Sequence, residues 1–281
     1  MLLGSVLLAS AQVSVEVTLD QRQFLPGESI PVAVKITNRS GEQMHLGTEP
    51  NWLTFTIESV DGFEVLKNSE VPVLGAFDLD SSQMATKRVD LGPYFTLTKI
   101  GRYRIVATLR IKDWSAQEVS SPAFFDIIKG EQLWSQDFGL PTADPSVPHE
   151  PEMRTYSLIK ASYLTSQLRL YVQVSNPANG RLYNVASVGP LVSFSQPEAQ
   201  IDSLSNLHVL YQSGAAIFSY DVLDPTGKVF RHELYDYVST HPRLAVNDKG
   251  ELTVRGGVRR LKSEEMPMVK MPNEVQVPVA H

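Results

Sequence analysis

GRYRIVATLRI, residues 101–111, is the stretch whose reading decides the fold. A glycine opens it, Tyr103 follows two places on, and an apolar run that alternates in part completes it. Such a run reads as a strand whose side chains alternate between its two faces. The flanking sequence repeats the signal. In VSVEVTL (13–19), Val13, Val15, Val17 and Leu19 share one face. Pro26-Gly27 is a turn pair, and Ile30, Val32, Val34 and Ile36 then point inward along IPVAVKITN (30–38). LTFTIESV (53–60) puts Leu53, Phe55 and Ile57 together, and Asp61-Gly62 reads as a hairpin into FEVL. TKRVDL (86–91) and AFFDII (123–128) complete the set. About seven strands in about 115 residues is the pattern of a β-sandwich.

The order LTKIGRY, with Leu97, Gly101 and Tyr103, resembles the tyrosine corner of immunoglobulin, fibronectin type III and macroglobulin-type domains. VEVTLDQRQFLPGESIPVAVKITNRSG similarly resembles the first two strands of bacterial and macroglobulin-type members. The resemblance implies an immunoglobulin-like sandwich over 12–129, with the Tyr103 hydroxyl returned to nearby backbone. It specifies a fold that serves adhesion, inhibition, enzyme accessory and receptor roles alike.

Residues 130–155 carry Pro141, Pro145, Pro148 and Pro151 and read as a proline-rich linker. The DFG at 137–139 lacks the other parts of a kinase signature. Residues 156–258 return to strands, and the fold class is therefore all-β with a second antiparallel domain. Leucines after polar turns recur at Leu168, Leu207 and Leu252, spaced by 39 and 45 residues. That period resembles propeller blades. The segment holds two to three such units, where a closed ring needs about four to eight. A small independent sheet domain and a partial propeller both stay open. Residues 259–281 are expected to form a flexible tail.

Composition narrows the function. The chain has 281 residues, 42% hydrophobic and 20% charged, with a net charge of −6. The acidic balance argues against nucleic acid, whose phosphates select basic surfaces. There is no cysteine, so disulfides, thiolate metal sites and cysteine nucleophiles are excluded. MLLGSVLLASAQ reads as the remnant of a signal peptide over residues 1–11, with Ala9-Ser10-Ala11 in the small-x-small cleavage form. That points to an extracytoplasmic protein, periplasmic or secreted. No stretch is apolar enough to span a bilayer, which takes about 20 residues.

Motifs of catalysis are absent: no G-x-S-x-G elbow, H-E-x-x-H pair or P-loop occurs, and DPTGK (224–228) lacks the upstream glycine. His208 lies in an alternating strand, where a satisfied or solvent-facing structural role is expected. Asp78, Asp80 and Ser82 have the spacing of the first three ligands of a calcium loop but lack its glycine and final glutamate. Glu198, Asp202, Asp221 and Glu233 are the carboxylates available for a hydrolase. Met266, Met268 and Met271 are soft thioethers that suit Cu(I), set in a tail where methionine is also an ordinary apolar choice. The expectation is no cofactor and no metal. Trp52 and Trp114, with Met44, are the candidate binding residues, because two loops at one end of a sandwich would carry them. The function expected is a non-catalytic interaction protein with a protein or glycan partner. The alternatives are a hydrolase with an accessory sandwich and a sandwich-type protease inhibitor.

Overall fold

The computed structural model describes residues 13–140, 152–164 and 167–261. The expected signal remnant, the linker prolines and the methionine tail lie outside the described residues. What is described is all-β.

The first domain comprises β1 (Val13–Leu19), β2 (Gln23–Phe24), β3 (Pro31–Asn38), β4 (Met44–Leu46), β5 (Leu53–Ser59), β6 (Phe77–Leu79), β7 (Met84–Asp90), β8 (Gly101–Ile111), β9 (Ala116–Val119) and β10 (Ala123–Ile127). They form one sheet of order β1-β3-β7 and another of order β2-β10-β8-β5, with β9 on β8 and a short β4–β6 pair. The alternation read from the sequence is the burial pattern observed. Val13, Val15 and Val17 from one sheet meet Ile105, Ala107 and Leu109 from the other in a single core. The two sheets thus stack as a sandwich.

Tyr103 explains its own position. It is fully buried, and its hydroxyl donates to the Lys99 carbonyl at 2.6 Å. Its ring stacks on Phe125 at 5.3 Å and meets Phe63 edge-on at 5.5 Å. Gly101, at φ +154°, lets the Asp61 carboxylate and the Phe63 ring approach where a Cβ would stand. One expectation needs correction. FEVL does not form the second strand of a hairpin; after Ser59 the chain runs as irregular connection, anchored by Val71 and Val73 in the core.

The second domain comprises β11 (Glu131–Gly139), β12 (Met153–Leu164), β13 (Gln167–Ser175), β14 (Leu182–Leu191), β15 (Glu198–Ile201), β16 (Leu207–Gln212), β17 (Ile217–Leu223), β18 (Val229–Asp236), β19 (Arg243–Val246), β20 (Leu252–Arg255) and β21 (Val258–Arg259). β11 to β14 make one four-stranded antiparallel meander. β15 to β18 make a second, with β21 on its edge, and β19–β20 is a separate hairpin. Tyr156, Leu158, Leu170, Val172 and Val174 of the first meander pack on Leu207, Val209, Tyr211 and Leu223 of the second. The leucine period does not mark equivalent strands. Leu168 is the second residue of the third strand of its sheet, whereas Leu207 and Leu252 begin the second strands of theirs.

The linker boundary moves. Residues 131–139 form β11, paired with β12 from Glu131↔Lys160 to Gly139↔Met153. The polar look of EQLWSQDFG misled because β11 is a sheet edge: only Leu133, Trp134 and Phe138 touch the core, and the rest faces solvent. The two domains are therefore joined through Ile128, Lys129 and Gly130, and they pack together. Leu25 and Ile128 of the first meet Ile159, Ala161, Tyr171, Leu182 and Val185 of the second. A Cβ at Gly130 would collide with the Ile159 side chain and come 3.1 Å from that of Leu25. Glu28, buried at this joint, accepts from the Leu25 amide at 2.8 Å and the Gln21 side chain at 2.9 Å. Burial pushes its carboxyl above the ordinary carboxylate value, against hydrogen bonds from Leu25, Gln21 and Tyr171.

Candidate binding site at the β19–β20 hairpin

β16 and β17 are buried on both faces because they lie between two layers. Odd-numbered Leu207, Val209 and Tyr211 face the first meander. On the opposite face Leu210, Phe218, Tyr220, Val222 and Tyr235 are covered by Leu244 and Val254 of the hairpin. A two-stranded hairpin is too narrow to cover a four-stranded sheet. It leaves a cleft on each side of the point where it is fastened. The fastening is Glu198, whose carboxylate accepts the Arg243 guanidinium and the Leu244 amide, both at 2.8 Å.

On one side of this clamp lies a cleft of about 890 Å³, whose lining includes Gln136, Gln200, His208, Arg231, Asn247 and Lys249. His208 forms its wall. One ring nitrogen bonds the Tyr220 hydroxyl at 2.6 Å and the other bonds Asp202 at 3.2 Å. Burial pushes Asp202 up, but hydrogen bonds from Asn206, His208 and the Leu204 amide outweigh it and hold the carboxyl below its usual value. Arg231 lies over the Tyr220 ring at 5.3 Å and pairs with Glu233 at 3.0 Å. Amides, carboxylates and cations line this cleft beside the apolar Ile201, Leu204, Val246 and Leu252, and the polar groups are suited to hydrogen bonding.

On the other side lies a smaller pocket of about 260 Å³, with Phe194, Gln196, Gln212, Phe218 and His241 among its walls. Phe218 is its floor, and His241 packs edge-on against it at 4.6 Å. Tyr237 reaches His241 at 5.5 Å. Phe194 stands at the rim, 81% exposed.

The carboxylates considered for hydrolysis are each held by partners of their own. Glu198 is the clamp, and Asp202 fastens the turn before β16. Glu233 accepts from Arg231, Tyr235 and Arg259. Asp221 faces the other way, buried between the meanders, with one oxygen on His232 at 2.7 Å. Asp78 bonds His45 at 2.5 Å and Asp80 bonds Gln43 at 2.6 Å, each on the first domain.

The tryptophan patch also needs correction. Trp52 is 3% exposed and donates its indole N–H to the Val73 carbonyl at 2.8 Å; Met44 is wholly buried. Trp114 is half-buried against the same core. The two loops do share an end, since Arg110 donates to the Trp52 carbonyl at 2.7 Å. The aromatic side chains close that end of the sandwich. Phe194, the residue that does project, lies in VSFSQP, whose lack of periodicity gave it no prominence.

No family model matches this chain. No curated protein matches it either. Among solved structures it is similar to Spo0M, a sporulation control protein from Bacillus subtilis, at 12% identity. That match covers 64% of this chain and 90% of that one, with a TM-score of 0.32, too low to carry an argument.

Proposed function

We propose that this chain is an extracytoplasmic, non-catalytic binding protein whose ligand is a glycan held beside the β19–β20 hairpin. The observation that carries the reading is the pairing of a polar cleft with an aromatic pocket on either side of the Glu198 clamp. Sugars present hydroxyls to amide and charged groups and C–H faces to aromatic rings, and this rim offers both. In the cleft His208 and Asp202 bond each other and Arg231 pairs with Glu233, which suits retention of a ligand over its turnover. Two structural likenesses fit the same picture. The strand order β1-β3-β7 against β2-β10-β8-β5 and the Tyr103–Lys99 bond support an immunoglobulin-like sandwich. The successive meanders support propeller-blade units in the second domain. The export expected from the sequence of residues 1–11 would bring the protein to where extracellular polysaccharides occur.

Affinity electrophoresis tests the reading. The intact protein is run through gels containing soluble xylan, glucan, galactomannan or peptidoglycan fragments. At least one should retard it relative to a sugar-free gel, and Phe194→Ala and Lys249→Ala should each lose retardation, measured against their own sugar-free mobility, while melting unchanged, because both side chains are exposed. Equal retardation of both variants would remove the site from the reading. Free migration of the wild type in every gel would remove the glycan.

A further inference from the structure

A second surface, on the first domain and independent of the hairpin site, has the form of a strand acceptor. β1 is an outermost strand of its sheet, with no neighbour beyond it among the described residues. Its register shows which backbone groups are open. Asn38 donates its amide toward Gln83 on the β7 side, so even-numbered positions of β3 face β7 and odd-numbered ones face β1. Thr37, Lys35 and Ala33 oppose Ser14, Glu16 and Thr18, which are therefore the β1 residues bonded to β3. The amides and carbonyls of Val15, Val17 and Leu19 point off the free edge.

Across the sandwich, β10 leaves a matching gap. β2 covers it only at Asp126 and Ile127. The Asp126 amide donates to the Arg22 carbonyl and the Ile128 amide to the Phe24 carbonyl, so the same edge of the strand carries the Phe124 amide and carbonyl. Those two groups have no backbone partner among the described residues. Between the two edges runs a slot of about 350 Å³, whose walls include Val17, Leu19, Phe124, the two cations Arg22 and Arg102, and one carboxylate, Asp126. Phe124 is 43% exposed, with the Arg102 guanidinium 5.3 Å from its ring centre. Arg22 makes no ion pair among the described residues, and Arg102 reaches Asp126 only at 4.0 Å.

Sheet edges are usually protected by charge, proline or bulges. The other edge of this sheet, β7, carries Lys87 and Arg88. β1 has seven residues of unbroken alternation, no proline, no bulge and one charge, Glu16. An open edge beside a slot of mixed polar and apolar walls matches strand addition, in which backbone bonds supply affinity and alternate side chains supply specificity. The two arginines set that specificity. We infer that this slot takes an extended acidic peptide segment of a partner protein, which adds to the free edge of β1 and rests its side chains on Phe124 between Arg22 and Arg102.

The test uses the whole chain and a six-residue, end-blocked peptide of alternating glutamate and valine, with a lysine-valine peptide as control. Hydrogen exchange at the Val15, Val17 and Leu19 amides reports pairing, and peptide anisotropy reports affinity. The glutamate peptide should slow exchange at those three amides, and the lysine peptide should not. Arg22→Glu should weaken binding by about tenfold, since reversal turns an attraction into a repulsion. Phe124→Ser should weaken it as well, with unchanged melting in both variants. Three results would each overturn the proposal: no slowing at millimolar peptide, equal binding of the lysine peptide, or slowing without peptide that grows with protein concentration. The last would assign the edge to a second copy of the chain.

Discussion

Replacing Tyr103 with phenylalanine removes one oxygen atom and isolates the bond that fixes the sandwich corner. The hydroxyl donates to the Lys99 carbonyl at 2.6 Å, and the residue is fully buried. The ring contacts with Phe125 and Phe63 are left in place. The loss is then one buried hydrogen bond plus an unmet carbonyl, about 1–2 kcal/mol. For a domain of this size that lowers Tm by about 4–12 °C. Scanning calorimetry of the whole chain reads it, with acrylamide quenching of tryptophan as a structural check. Tyr183→Phe is the control, since that phenol is exposed and only accepts a bond from Asn176 at 3.3 Å. Its Tm should not move. An unchanged Tm for Tyr103→Phe would refute the corner. A loss well beyond the stated range would show that the ring had moved as well.

Three further outcomes follow from the same geometry. Trp52→Ala should cost about 3–5 kcal/mol and Trp114→Ala clearly less, read from denaturation curves, because only Trp52 is fully enclosed. Gly130→Ala should open the joint between the domains, at about 1–3 kcal/mol of overpacking against Ile159 and Leu25, and proteolysis should then cut near residues 128–131. Asp221 has its carboxyl raised by burial, against its bond to His232. The folded state therefore holds this proton to higher pH than the unfolded state, and stability from this group falls as pH rises through the folded value. Asp221→Asn removes that dependence, so wild type should lose stability relative to the variant as pH rises above the unfolded carboxylate range. A relative gain over that interval would reverse the assignment.

The sandwich was legible because its strands bury one face each. Val13, Val15 and Val17 alternate in sequence as they do in burial, and Tyr103 was recognisable from the order LTKIGRY at the head of a long apolar strand. β11 was not legible, since an edge strand with three core contacts looks like polar connection. FEVL failed in the opposite direction, as the Asp61-Gly62 signal fits many turns and the chain there leads into a long irregular segment. The candidate binding residues were least legible. Trp52 and Met44 drew notice by type, yet large apolar side chains most often fill cores, as these do. The hairpin clefts arise because two strands, β19 and β20, under-cover a sheet of four, and no local pattern encodes how much of one layer another covers.

The central claim is that ligand binds beside the hairpin, on both sides of Glu198. Amide chemical shifts of the isotope-labelled chain, followed during titration with the oligosaccharide that best retards it in gels, test this most directly. The account predicts shifts that saturate together at Gln200, Ser203, Asn247 and Lys249 around the cleft and at Phe194 and Gln196 around the pocket, with the sandwich unmoved. Shifts confined to the first domain, or none at saturating sugar, would contradict it.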